Sequence, residues 1–193
     1  MKHKFVGAFT ALSLTFSTTA HALPGQSFEA FQKWANSNAL LTGLRPVEKL
    51  EEDYPDYGVT RSLAGADFTF EVYLNPDRTI YSEVIDYRTY RGGHRDLTFS
   101  PSNPHGLGLI RRIYGPTFVR AFQNATPVAE ISLAGTLRFY RGSDYAYQVW
   151  TSHQAHSFTV LPIQDLDRVI EEWQIEADRW RGENQVDPCL SVC

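Results

Sequence analysis

Four residues of one hairpin carry the types and spacing that could do chemistry: Arg138, Tyr140, Tyr145 and Tyr147. Ile131, Leu133, Leu137 and Phe139 alternate with polar positions, Arg141-Gly142-Ser143-Asp144 reads as a turn, and Tyr145 to Thr151 returns. A turn at Gly142-Ser143 would set Tyr140 opposite Tyr145, Arg138 opposite Tyr147 and Gly135 opposite Trp150. The apolar parity makes the Leu133-Leu137-Phe139 face the core, with Trp150 packed inward over the space that Gly135 leaves. Arg138, Tyr140, Tyr145 and Tyr147 then share the other face. Exposed, such a platform would stack on a sugar ring or a peptide. Covered by a helix or the other hairpin, the tyrosines would serve as cross-strand pairs that stabilise the sheet.

A second candidate is a carboxylate pair. Phe68, Phe70, Val72 and Leu74 alternate with Thr69, Glu71 and Tyr73, Asn75-Pro76-Asp77-Arg78 turns, and Thr79 to Arg88 returns. A three-residue turn aligns Leu74 with Ile80 and Phe70 with Val84, and so sets Glu71 against Glu83. Like charges directly opposite are unfavourable. Close carboxylates could work as acid and nucleophile in sugar hydrolysis or coordinate calcium. A neighbouring Arg61 or Arg88, or a shifted register, would remove the conflict.

Other chemistry is thinner. His153 and His156 lie three apart in a strand connection, where helical spacing has no meaning, and His94 and His105 sit in loops, so no zinc pattern is set. The chain has no Gly-x-Ser-x-Gly elbow, and Gly106, Gly108 and Gly115 lack the Gly-Lys-Ser/Thr core of a phosphate loop. Asn124-Ala125-Thr126 matches a glycosylation acceptor, and Arg111-Arg112 reads as a solvated helix edge. No metal, catalytic residue or cofactor is assigned.

The elements that must position these groups follow from periodicity. Ser27 caps a helix to about Leu41 with Phe28, Phe31, Trp34 and Ala35 inward. A polar, proline-containing stretch, Arg45 to Asp56, precedes the first hairpin, and a polar loop, Thr89 to Asn103, follows it. Leu107 to Gln123 is helical but interrupted at Gly115-Pro116. The second hairpin comes next, then a strand from Ser157 to Ile163. A last helix is capped by Asp165 and carries Leu166, Val169, Ile170, Trp173, Ala177 and Trp180 on one face. This order, helix-strands-helix-strands-helix, predicts an α+β domain: an antiparallel sheet of two hairpins or meanders with helices packed on one face. The halves share a helix-then-meander layout without a residue-level repeat.

The first 22 residues give an address. Lys2 and Lys4 precede an apolar run from Phe5 to Phe16, and Ala20-His21-Ala22 offers a small-x-small site, so cleavage is expected between Ala22 and Leu23. The run is shorter than the ~20 residues that span a bilayer, and Leu23 rather than Cys argues against a lipid anchor. The expected organisation is a cleaved signal peptide, 1–22, a single domain, 23–182, and a tail, 183–193. Loss of the leader takes 18 basic residues to 16 against 22 acidic. That balance disfavours nucleic acid or anionic lipid as a partner. Cys189 and Cys193, the only two cysteines, are expected to close a small ring contributing about 2 kcal/mol.

These observations lead to an expectation: an extracytoplasmic protein, periplasmic or secreted, without stable membrane insertion after cleavage. It would bind a glycan, a peptide or another exported protein without catalysis. A hydrolase using paired carboxylates or a histidine-bound metal is the alternative, and the Trp173–Trp180 stripe, if not fully buried, is a second surface for a protein partner.

Overall fold

The structure, a computed structural model, describes residues 23–47, 57–63, 66–88, 98–153 and 155–184. Its frame is one antiparallel sheet of eight strands: β1 (Arg45–Pro46), β2 (Tyr57–Leu63), β3 (Ala66–Leu74), β4 (Ile80–Arg88), β5 (Thr126–Ser132), β6 (Thr136–Arg141), β7 (Tyr145–Thr151) and β8 (Ala155–Pro162). Their spatial order is β1-β2-β3-β4-β8-β7-β6-β5. Two four-strand meanders therefore meet at β4 and β8, each preceded by a helix, α1 (Phe28–Ser37) and α2 (Pro104–Gln123). A third helix, α3 (Leu166–Asn184), closes the chain. The α+β class and the antiparallel sheet are as the periodicity predicts.

Local signals account for the helix ends. Ser27 is the N-cap of α1, its Oγ accepting from the Ala30 N–H at 3.3 Å, which satisfies one of the donors a helix start leaves free. Asn103 caps α2, its side-chain oxygen accepting from the His105 and Gly106 N–H groups, and Pro104 occupies the first turn, where its missing donor costs nothing. Inside α2, Gly115 has φ 85° and ψ 173° ahead of Pro116. Only glycine takes that conformation readily, so the helix is two segments joined at a break. A one-turn helix, Ile163–Asp165, leads into α3.

The helices divide between the two faces of the sheet, which corrects the expectation of one helical face. Rings run from α1 to α2 on the first face: Phe31 stacks on Phe70 at 6.1 Å, Phe70 lies 6.3 Å from Tyr114, Tyr114 stacks on Phe118 at 4.4 Å, and Phe122 meets Tyr147 at 5.0 Å. The opposite face packs Ile131, Leu137, Phe139, Ala146 and Leu161 against Leu166, Val169 and Ala177 of α3. Adjacent strand residues point to opposite sides, so Phe139 and Tyr140 necessarily report to different helices. The α3 stripe and the α2 apolar residues each need a sheet face, and one face cannot serve both.

Sequence pattern missed one hairpin. The run from Ile131 to Phe139 reads as a single strand, yet it folds as β5 and β6 around Leu133-Ala134-Gly135, with the Leu133 N–H donating to the Gly135 carbonyl at 2.9 Å. Leu23, the expected first residue after cleavage, is buried in the core of the first face. The following segment runs beside β4: the Gly25 N–H donates to the Ile80 carbonyl and the Ile80 N–H to the Gln26 carbonyl, both at 2.8 Å. Among the described residues no helix is long and apolar enough to cross a membrane.

Candidate functional site

Two hairpin registers decide where the chemistry goes. In the β6–β7 pair the observed partners are Tyr140 with Tyr147, Arg138 with Val149, and Leu137 with Trp150. The loop holds Gly142 to Tyr145, closed by the Gly142 N–H donating to the Tyr145 carbonyl at 2.9 Å, so the pairing is offset by two residues from the expected one. An offset of two leaves every side chain on its face, and Arg138, Tyr140, Tyr145 and Tyr147 do share one. Trp150 does lie over Gly135: a Cβ there would come within 2.8 Å of its ring and 2.5 Å of the Thr151 carbonyl oxygen.

That shared face is the one α2 covers. Tyr147 is 1% and Tyr140 8% exposed, under Phe118 and Phe122, and burial pushes both phenols' ionisation upward. Tyr145 is half-buried and packed on the same core. Arg138, the most open of the four, pairs with Glu130 on β5 at 2.8 Å. The four residues share one face, with Tyr140 and Tyr147 packed as its floor and Arg138 and Tyr145 partly open.

The β3–β4 register differs by one residue, and the consequence is larger. Leu74 pairs with Ile80 as expected, but Tyr73 then pairs with Ser82, Val72 with Glu83 and Glu71 with Val84. Tyr81 is the extra residue of a β-bulge, and the Arg168 guanidinium of α3 donates to its hydroxyl oxygen at 2.9 Å. A slip of one turns every later side chain over. Glu71 and Glu83 therefore lie on opposite faces, and the two-carboxylate arrangement of a glycosidase is not formed. Instead Glu83 enters the core in a row with Val72 and Val160, 0% exposed.

Both Glu83 carboxyl oxygens lack a hydrogen-bond partner, and so does the Tyr114 hydroxyl of α2, which lies close enough to bear on the carboxyl's ionisation. Burial in apolar surroundings pushes the Glu83 carboxyl up from the usual carboxylate range to about 8, a little offset by Tyr114, because a charge taken from water without a partner is costly. At neutral pH Glu83 is a neutral acid. Sequence reasoning flagged this residue only through a partner it does not meet.

The histidines do not converge. His153 is exposed in the β7–β8 connection, and His156 is buried in β8 with its Nδ1 unpartnered. His105 is exposed on the first turn of α2. Among the described residues no group of three metal-ligating side chains forms. Asn124 is exposed at the C-cap of α2, and Arg111 and Arg112 are exposed on that helix. His94, Ala22, Cys189 and Cys193 lie outside the described residues.

On the α3 face the packing is incomplete. Leu166, Val169 and Ala177 are buried, whereas Trp173 is half-buried and Trp180 is 39% exposed. Beside them a cleft of about 450 Å³ opens, with the indoles of Trp150, Trp173 and Trp180 in its walls and Gln148, Ser157 and Glu176 among them. The volume lies within the range of small-molecule sites, and a mostly apolar lining with a few polar groups is their usual chemistry. The aromatic stripe of α3 was legible in the sequence; that its C-terminal half stays open was not. No protein family, curated protein or solved structure matches the chain.

Proposed function

We propose that this chain is an exported binding protein without catalytic activity, and that it takes a carbohydrate in the cleft between α3 and the second meander. One observation carries the reading: three indoles and the polar side chains of Gln148, Ser157 and Glu176 line the same open cleft. Indole faces offer flat apolar surface for the C–H faces of a sugar ring, and they hold little conformational entropy to lose on binding. The amide and hydroxyl supply donors and acceptors, and the carboxylate supplies acceptors, for ring hydroxyls. The expected aromatic site thus moves from the α2 face to the α3 face. Export rests on the leader pattern, and N-terminal sequencing of the mature protein should begin at Leu23.

Three of the four tryptophans border the cleft, so intrinsic fluorescence reports on it directly. Titration with a glycan panel should shift the emission for at least one oligosaccharide, and Trp180→Ala should weaken that binding about tenfold or more, as for an aromatic hot spot. A panel that leaves the emission unchanged would remove the reading. If peptides shift it and glycans do not, the ligand class is overturned.

A further inference from the structure

We propose that the Glu83 proton is a latch on α2: the neutral carboxyl allows the helix to lie closed on the sheet, and loss of the proton opens it at Gly115. The geometry isolates the carboxyl. Its row neighbours are Val72 on β3 and Val160 on β8, both fully buried. From α2 it is faced by Tyr114, whose hydroxyl is buried and is the polar group that bears on the carboxyl. From β7 the nearest titratable groups are the phenols of Tyr145 and Tyr147, themselves influenced by Asp144, and α1 presents Phe31 and Trp34 to the rings around Tyr114. Among the described residues no cation bears on Glu83. Among the described residues only the Tyr114 hydroxyl favours an anion there, and its effect is smaller than that of burial, so the anion must reach water.

The route to water is local. Tyr114 directly precedes Gly115, whose φ of 85° already interrupts the helix, and a break of that kind concentrates bending at one residue. The segment beyond it carries Phe118 and Phe122, the rings that cover Tyr140, Tyr147 and Phe158. Phe118 lies on Tyr147, which shares the row of Glu83 and Val160, so swinging this segment out opens that row to water, and the released proton passes to solvent. Opening linked to release of one proton grows tenfold per pH unit between the ordinary carboxyl value and the raised one. Acid closes the latch and alkali opens it.

Two measurements on the full chain test this. Infrared difference spectra should show a protonated-carboxyl stretch at pH 6 that disappears around pH 8 and is missing in Glu83→Gln. Absence of that band at pH 6 in the wild type would overturn the proposal without recourse to any variant. Amide exchange of residues 117–123 should rise tenfold per pH unit beyond ordinary base catalysis in the wild type, with β3 and β4 unaffected, and lose that extra slope in Glu83→Gln. An equal slope in the variant, or exchange that rises together across helix and sheet, would equally sink it.

Discussion

The two faces of the sheet are closed to different degrees. Under α1 and α2, Phe68, Phe70, Val72, Ile85, Phe158 and Val160 are all fully buried, and aromatic rings interlock from one helix to the next. Under α3, Leu166, Val169 and Ala177 are buried, but the indoles of Trp150, Trp173 and Trp180 flank open space. The sealed face holds Glu83, the one buried carboxyl among the described residues, and the open face holds uncovered aromatic surface. A dense layer makes a polar group expensive and therefore responsive to pH. A loose one leaves area uncovered and therefore available. Chemistry was expected on the first face, and the proposed site lies on the second, where the indoles are open.

The largest effect that separates the faces should come from Phe122→Ala. Its ring touches Tyr140, Tyr147 and Phe158, and truncation should cost about 3–5 kcal/mol of folding free energy in chemical denaturation. A cost below about 1 kcal/mol would mean that the sealed layer is no better packed than the open one.

Next is the pH dependence of stability. Glu83 has its carboxyl raised from 4.5 to about 8 in the fold, so its contribution is fully present below the ordinary value, falls as pH rises through the window and stays lost above it. The slope should approach about 1.4 kcal/mol per unit, a loss on the order of 4 kcal/mol by pH 8. His156 works in the opposite sense, since burial lowers its imidazole and its contribution is lost as pH falls below its ordinary value of 6.5. Denaturation midpoints of wild type and Glu83→Gln across pH 5–8 separate the two, because only the Glu83 part is removed by the substitution.

Gly135→Ala sharpens the contrast from the other side. A methyl there meets the Thr151 carbonyl oxygen and the Trp150 ring, so either the backbone shifts or the indole is pushed into the cleft. The expected cost is about 1–3 kcal/mol, as for overpacking, with altered tryptophan emission. Unchanged emission would show that Trp150 does not depend on that glycine for its place.

The smallest effects belong to exposed groups. Arg168→Ala removes the bond to Tyr81 and pairs with Asp165 and Glu172, all at least partly exposed, and should cost under about 1 kcal/mol. A much larger loss would mean that Arg168, rather than the apolar row of β3 and β4, holds the bulge in place. Trp180→Ala should cost about 1 kcal/mol or less while weakening ligand binding about tenfold or more. Comparable destabilisation by Trp180→Ala and Phe122→Ala would erase the distinction between the faces.

Alternation and periodicity in the chain were enough for the α+β class, the Ser27 cap, the Gly115 break, the apolar stripe of α3 and the common face of Arg138, Tyr140, Tyr145 and Tyr147. Each depends on residues a few positions apart, and local sterics and hydrogen bonding settle such matters. Even the two-residue error in the second hairpin did no harm, because strand parity survives an even shift. The failure at Glu83 has the same origin in reverse. One bulged residue, Tyr81, changes parity, and it sits where β4 must turn Ile85 and Tyr87 into the core while its own side chain reaches Arg168, 87 positions away. Which helix covers which face is likewise a competition between segments distant in sequence, decided by how each apolar stripe finds area to bury. Local pattern says what a strand shows on each side; only the packed molecule says which side meets water.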